Sequence, residues 1–281
     1  MSNISASDVK KLRDMTGAGM MDCKKALAEA NGDFDKAMEN LRLKGQKLSA
    51  KRADRDATEG VVVALTSANR NNGVIIRLSC ETDFVAKNED FVAFATKIAE
   101  IALKNLPESK EELVAMPYEG SLSIQDKVVE QTGVIGEKLE VAAYEKIETA
   151  AGEGQVLPYI HMGYRAGVLV ALNLEGPQYM DAGKNVAMQV AAMKPLALDE
   201  DGVDSSVVEK EIEIGKELAR QEGKPEAMLE KIAMGKLNRF FKDNTLLNQT
   251  YVKDSKQSVA QYLQSLDKNL TVTSFKHVTL G

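Results

Sequence analysis

Two runs of β-branched and aliphatic residues, Val61-Val62-Val63-Ala64-Leu65 and Val74-Ile75-Ile76-Arg77-Leu78, flank the turn-rich segment Asn69-Arg70-Asn71-Asn72-Gly73. The pattern predicts a β-hairpin. Its second strand delivers the chain to Cys80-Glu81-Thr82-Asp83-Phe84. A helix follows, with Phe91, Phe94, Ala95, Ile98 and Ala102 at helical spacing, and Pro107 ends it. Residues 105–122 read as a polar connection with Pro117 and Gly120, and a further helix is expected from Ile124 to Gln131 or beyond. The same order then returns. Strands are expected at Val141–Ile147, Tyr159–His161 and Gly167–Leu172, followed by a helix with Val186, Val190 and Met193 that stops at Lys194-Pro195. A hairpin-then-helix order met twice restricts the chain to an α+β fold with two related halves packed as one core.

The flanks read differently. Residues 1–45 predict three short helices. Ser5 and Asp8 are spaced as a capping box, and Ile4 can staple onto Val9. Gly17 suits a left-handed helix end, and Asn31-Gly32-Asp33 stops the second helix and caps the third, whose apolar side is Ala37, Met38 and Leu41. The layout is like a ubiquitin-associated-type module, or a structural cap on a larger domain; so small a unit is marginal alone. KGQKLSAKRADRDA, residues 44–57, is basic but interrupted by Asp54 and Asp56, so it reads as a solvated, part-helical linker rather than a nucleic-acid patch.

Beyond Val203, the stripes Val208, Ile212, Gly215, Ala219 and Leu229, Ala233, Leu237, Phe240 predict an antiparallel helical hairpin, with Gly223 as the stop and Pro225 at a first helical position. It either projects from the core or packs back on it. A last helix is expected over Ser255–Leu266 and a returning strand over Leu270–Phe275. The expected division is a three-helix unit with its linker over 1–54, a first core subdomain over 55–140, a second over 141–202 completed by 252–281, and the hairpin inserted over 203–251.

Several function classes are disfavoured. A net charge of −6 argues against a general nucleic-acid binder. No apolar run reaches membrane-spanning length, and the N-terminus lacks the layout of a secretory leader. Two cysteines, Cys23 and Cys80, far apart and without a CxxC neighbour, fit a reducing cytoplasm better than a disulfide. Two histidines, His161 and His277, cannot supply a His-rich metal site. Phosphate-loop, HExxH and GxSxG motifs are absent. No catalytic residue, cofactor or metal is expected. A thiol enzyme centred on Cys80 remains a weak third reading.

Two motifs carry a family resemblance. TGAGMMDCKKAL, residues 16–27, resembles one signature of the bacterial elongation factor Ts family, and CETDFVAK, residues 80–87, is similar to the other. Their order and the length of the chain agree, and the resemblance covers nearly all of it. It implies a guanine-nucleotide exchange factor for elongation factor Tu, in the cytoplasm, with no bond-making chemistry of its own. It also implies partner contacts at Arg13, Met20, Met21, Asp83, Phe84 and Gln189, with Lys24 nearby. Thr82, Asp83, Phe84 and Val85 would form the region that displaces the partner's Mg2+. Some relatives have histidine at the place of Gln189, which cannot carry imidazolium charge. Some carry a further C-terminal module that also grips the partner and that this chain is expected to lack. The helical hairpin would touch another domain of the partner or a second copy of this chain. No direct nucleic-acid or membrane contact is implied.

Read without the resemblance, Phe84 is a core side chain and Asp83 the cap of the following helix; the resemblance reverses that order. Met20 and Met21 likewise stand open between core filling and partner surface. The alternative function is a helical adaptor that captures a partner through the N-terminal unit alone.

Overall fold

The computed structural model describes residues 4–280. Residues 1–3, part of the stretch read against a secretory leader, lie outside them.

Three helices open the chain: α1 (Ala6–Thr16), α2 (Met20–Glu29) and α3 (Phe34–Lys51). Local chemistry sets their ends. The Ser5 hydroxyl accepts the Asp8 N–H, and the Asp8 carboxylate accepts the Ser5 N–H, each at 3.1 Å. Gly17 closes α1 at φ +70°, and the Asp33 carboxylate accepts the Lys36 N–H at the start of α3. Val9, Leu12, Cys23, Ala26, Leu27 and Ala37 bury together, with Ile4, Phe34 and Val134 against them. Val134 belongs to the core, so this small unit does not close by itself.

The segment read as a linker is largely helix. α3 continues to Lys51 because it has a surface to lie on, the helix α7 described below. Its Lys and Ala residues are good helix formers, and the lysines of the run face solvent while Arg52 turns in to Glu81.

Then come β1 (Glu59–Thr66), β2 (Asn72–Cys80), the single turn α4 (Asp83–Ala86), and α5 (Glu89–Asn105). The polar connection contains α6 (Lys110–Ala115) and a small ribbon of β3 (Pro117–Glu119) and β4 (Leu122–Ser123). It leads to α7 (Ile124–Ile135) and β5 (Glu140–Glu148). β6 (Gln155–Ile160), β7 (Ala166–Leu172) and α8 (Met180–Met193) follow.

Two antiparallel three-stranded sheets form the centre, in the orders β1-β2-β5 and, with the last strand β10 (Val272–Thr279), β10-β7-β6. The sequence pattern groups the strand at Val141–Ile147 with the second half. The structure corrects this: β5 pairs with β2, Tyr144 opposite Ile76, and completes the first sheet. Strand periodicity records which face is buried, not which edge is joined.

The strands read as nearly continuous apolar runs because both faces are covered. Val61, Val63, Val74 and Ile76 pack on α5, while Val62, Ala64 and Ile75 face the second sheet. From that sheet Leu169 and Ala171 meet them, and Val168, Val170 and Leu172 turn to α8. Period-two alternation thus makes four layers: helix, sheet, sheet, helix. Gly167 permits the close approach; a Cβ there would lie 2.8 Å from Val62 Cγ1.

α9 (Ser205–Gln221) and α10 (Glu226–Asn244) form the expected antiparallel pair, each packed chiefly on the other. Gly215, Ala219, Leu229, Ala233 and Leu237 fill the seam, and Phe241 rather than Phe240 is the buried ring at its base. Pro225 is the N-cap, one position before that expected. β8 (Thr250–Tyr251) and β9 (Asp254–Ser258) make a ribbon, so α11 (Val259–Leu266) starts four residues later than the predicted Ser255. Ser258 opens it with a second capping box, to Gln261. No described helix is long and apolar enough to cross a membrane.

Candidate functional site

β2 ends at Cys80, and the chain turns outward over Glu81 and Thr82 into α4. Thr82, not Asp83, is the N-cap: its hydroxyl faces the Val85 N–H at 3.5 Å. Asp83 is therefore free of the capping role. It pairs with Lys87 one turn on, at 2.6 Å, and this hydrogen bond and the ammonium charge hold its carboxyl below the usual carboxylate range. Phe84 is 82% exposed. The alternative of a core phenylalanine is excluded. An aromatic ring held in water on a single helical turn contributes nothing to the interior, and such side chains are typical anchors of partner surfaces. Val85 packs inward on the cluster under α5 and ties the turn down.

The turn between α1 and α2 behaves alike. Met20 is 57% exposed and Met21 75%, with Met15 beside them, so these methionines are surface rather than core. Cys23, Ala26 and Leu27 fill the inward face instead. Arg13 is exposed on α1, its carbonyl accepting the Gly17 N–H at 2.7 Å, and Lys24 is exposed on α2. Gly17, at the end of α1, and Val85, at the base of the tip, line one groove together with Asn88, Phe91, Gln131 and Val134. Exposed methionines offer an adaptable apolar contact.

Gln189 lies elsewhere. It is fully buried on α8, donating to Gln249 Oε1 and the Thr250 carbonyl, each at 3.1 Å, and accepting the Val252 N–H at 2.8 Å. Its side chain reaches no surface here; it pins the ribbon of β8 and β9 to α8. The signal was available, because Gln189 sits at helical spacing from Val186 and beside Val190 on the buried stripe.

Two features escaped the sequence reading. The turn Met162–Tyr164 after β6 faces the tip across a cleft of about 780 Å3 lined by Glu59, Asp83, Lys87, Val92, Tyr164 and Arg165. Met162, in this turn, is 86% exposed, as open as Phe84 among the large hydrophobic side chains described. Behind the tip, Glu137 binds the backbone of Glu81 and Thr82. Neither could be placed from sequence, because both approach from strands and loops more than 50 residues away.

Cys80 is poorly placed to act as a nucleophile. It is buried, its thiol donates to the Thr82 carbonyl at 3.2 Å, and desolvation with the Glu137 charge pushes its pKa up to about 12. A thiol so placed stays protonated. His161 lies against the Tyr159 hydroxyl.

A family model described as elongation factor TS matches residues 81–281. The chain is 55% identical to the elongation factor Ts of Flavobacterium psychrophilum over 281 residues, covering all of both chains. It is 55% identical to that of Christiangramia forsetii over the same span and coverage. With that of Chlorobaculum parvum the identity is 45% over 289 residues, again covering both chains completely.

Proposed function

The chain belongs to the elongation factor Ts family, nucleotide exchange factors of protein biosynthesis, and on that premise we propose that it binds elongation factor Tu carrying GDP, disturbs the Mg2+ and phosphate site, and promotes GDP release until GTP binds. The observation that carries the reading is the exposure of Phe84 beside an ionised Asp83 on a one-turn helix. The ring has no internal partner to lose and gains one on docking. The carboxylate, brought near the nucleotide, adds negative charge where the phosphates depend on a cation.

The energetics require more than the tip. A ten-thousand-fold acceleration of release needs roughly 5.5 kcal/mol off the barrier. Burying one phenylalanine contributes about 1.5–3 kcal/mol. The rest is assigned to the surface formed by Arg13, Met20 and Met21, and to Thr82 and Val85, which shape the tip. Gln189 contributes indirectly, by holding the segment 250–252. Coupling is reciprocal: a factor that weakens nucleotide binding is itself weakened by nucleotide. Returning GTP then displaces it, and exchange proceeds without bond-making.

In this reading α1–α3 are the ubiquitin-associated-type module, the two sheets head two related subdomains with β5 in the first, and α9–α10 project as a second contact for the partner or for another copy of this chain. The setting is the cytoplasm. An adaptor acting through residues 1–54 alone is the weaker reading, because Val134 completes the core of that unit.

The test mixes the chain with elongation factor Tu carrying labelled GDP and chases with unlabelled GDP. Faster release, with no GTP hydrolysis by the chain alone, supports the reading; unchanged release contradicts it.

A further inference from the structure

Two glutamates cross behind the tip. Glu137, on the segment joining α7 to β5, takes three donors. Its Oε2 accepts the N–H of Glu81 at 3.1 Å and of Thr82 at 3.0 Å, and its Oε1 accepts the Thr82 hydroxyl at 2.6 Å. In the other direction, Glu81 Oε1 accepts the Lys138 N–H at 2.6 Å. Both oxygens of Glu81 also receive Arg52 Nη1, at 2.6 and 2.8 Å. Segments 81–82 and 137–138 thus exchange carboxylates, each binding the other's backbone. Burial opposes the charge on Glu81, yet the Lys138 amide and Arg52 hold its carboxyl below the usual range. Lys138 Nζ closes the set on the carbonyls of Ala53 and Arg55 at 2.8 and 3.0 Å.

The tip needs such a hold. α4 is four residues long, and a single helical turn has almost no stability of its own. Phe84 makes no packing contact that would fix its direction. Every polar group of Thr82 is engaged instead: its N–H and hydroxyl by Glu137, its carbonyl by the Cys80 thiol. Carboxylate acceptors of this kind are stronger than neutral ones and directional.

We propose that Glu137 is a positioning residue for the Thr82–Phe84 tip, fixing the direction in which Asp83 and Phe84 leave the core. The inference rests on the exchange reading and deepens it. Glu137 touches neither partner nor nucleotide in this scheme; it acts through Thr82. Arg52 and Glu81 extend the same brace to the end of α3.

The experiment follows release of labelled GDP from elongation factor Tu with the full chain as wild type, Glu137→Gln, Phe84→Ala and the double variant. Glutamine keeps the shape but offers one acceptor oxygen where three donors converge. At saturating factor, Glu137→Gln is expected to slow release roughly ten- to a hundredfold, as a misplacement on the scale of an ångström does. In the Phe84→Ala background it is expected to slow release by clearly less than it does alone, the remainder being the part that acts through Asp83. Amide exchange at Thr82 should quicken while β1 stays protected. Wild-type release in Glu137→Gln, or the same slowing with and without Phe84, overturns the proposal, the second because a merely structural role adds. If Glu137→Gln does not fold, Thr82→Val removes the hydroxyl that donates to Glu137, together with its longer cap contact to the Val85 N–H, and its slowing must likewise shrink on Phe84→Ala. If Phe84→Ala releases GDP at the wild-type rate, the tip itself is not the agent, and the proposal falls with that part of the exchange reading. If the wild type speeds nothing, the exchange reading has failed as a whole.

Discussion

Gly45 on α3 and Gly133 on α7 meet backbone to backbone: a Cβ built on Gly133 would stand 2.7 Å from the Gly45 Cα. This contact lets α3 lie along α7 and so sets how the three-helix unit sits on the core. Gly133→Ala gains up to about 1 kcal/mol of helix propensity but forces the helices apart, an overpacking cost of about 1–3 kcal/mol. The expected net result is a lower melting temperature and slower nucleotide release, because the three-helix unit shifts against the core. Calorimetry and an exchange assay on the same sample check it. A melting point at or above wild type would show that the crossing has slack.

Cys80 makes stability sensitive to alkali. Its thiol titrates near 9.0 when unperturbed and is raised to about 12 in the fold. Between those values the unfolded chain has lost the proton and the native chain keeps it, so stability falls as pH rises. Urea midpoints of wild type and Cys80→Ala, compared at pH 8 and pH 10, isolate this contribution. The wild type should lose more on going to pH 10. The native thiol should also resist alkylation at pH 8, and exchange should persist in Cys80→Ala.

Gln189→Ala should act on stability before function. It leaves the Val252 N–H and Gln249 Oε1 without the partners they have on α8. Buried groups stripped of partners cost about 1–3 kcal/mol each, so a fall of several degrees in melting temperature is expected. At a temperature where the variant remains folded, nucleotide release should suffer less than in Phe84→Ala. A larger loss of exchange with unchanged stability would place Gln189 at the partner surface after all.

Local chemistry was readable in the sequence where its partners are neighbours. Ser5 with Asp8, Gly17, Asp33 and the hairpin turn before Val74 all act within a few residues, and the structure has each in place. What depends on distant partners was not readable. The strand at Val141–Ile147 has the right period but no mark saying that β2 is its neighbour. The charged run after Lys44 hides a helix because its reason to be helical is α7. Phe84 shows the limit most clearly: a phenylalanine at a helix start reads as core in any sequence, and only the placement of Thr82 as cap and Val85 as anchor turns it outward. Of the expected contact residues, Arg13, Met20, Met21, Asp83 and Phe84 reach the surface, whereas Gln189 does not.

The central claim is that the tip drives nucleotide release, and Phe84→Ala tests it most directly. An exposed substitution away from caps and core changes stability by no more than about 0.5 kcal/mol, so the variant should melt like wild type. Losing a ring whose burial is worth about 1.5–3 kcal/mol should slow the maximal rate of labelled GDP release from elongation factor Tu by roughly ten- to a hundredfold. Stopped-flow measurement at saturating factor gives that rate. A Phe84→Ala chain that folds normally and releases GDP as fast as wild type would contradict the account.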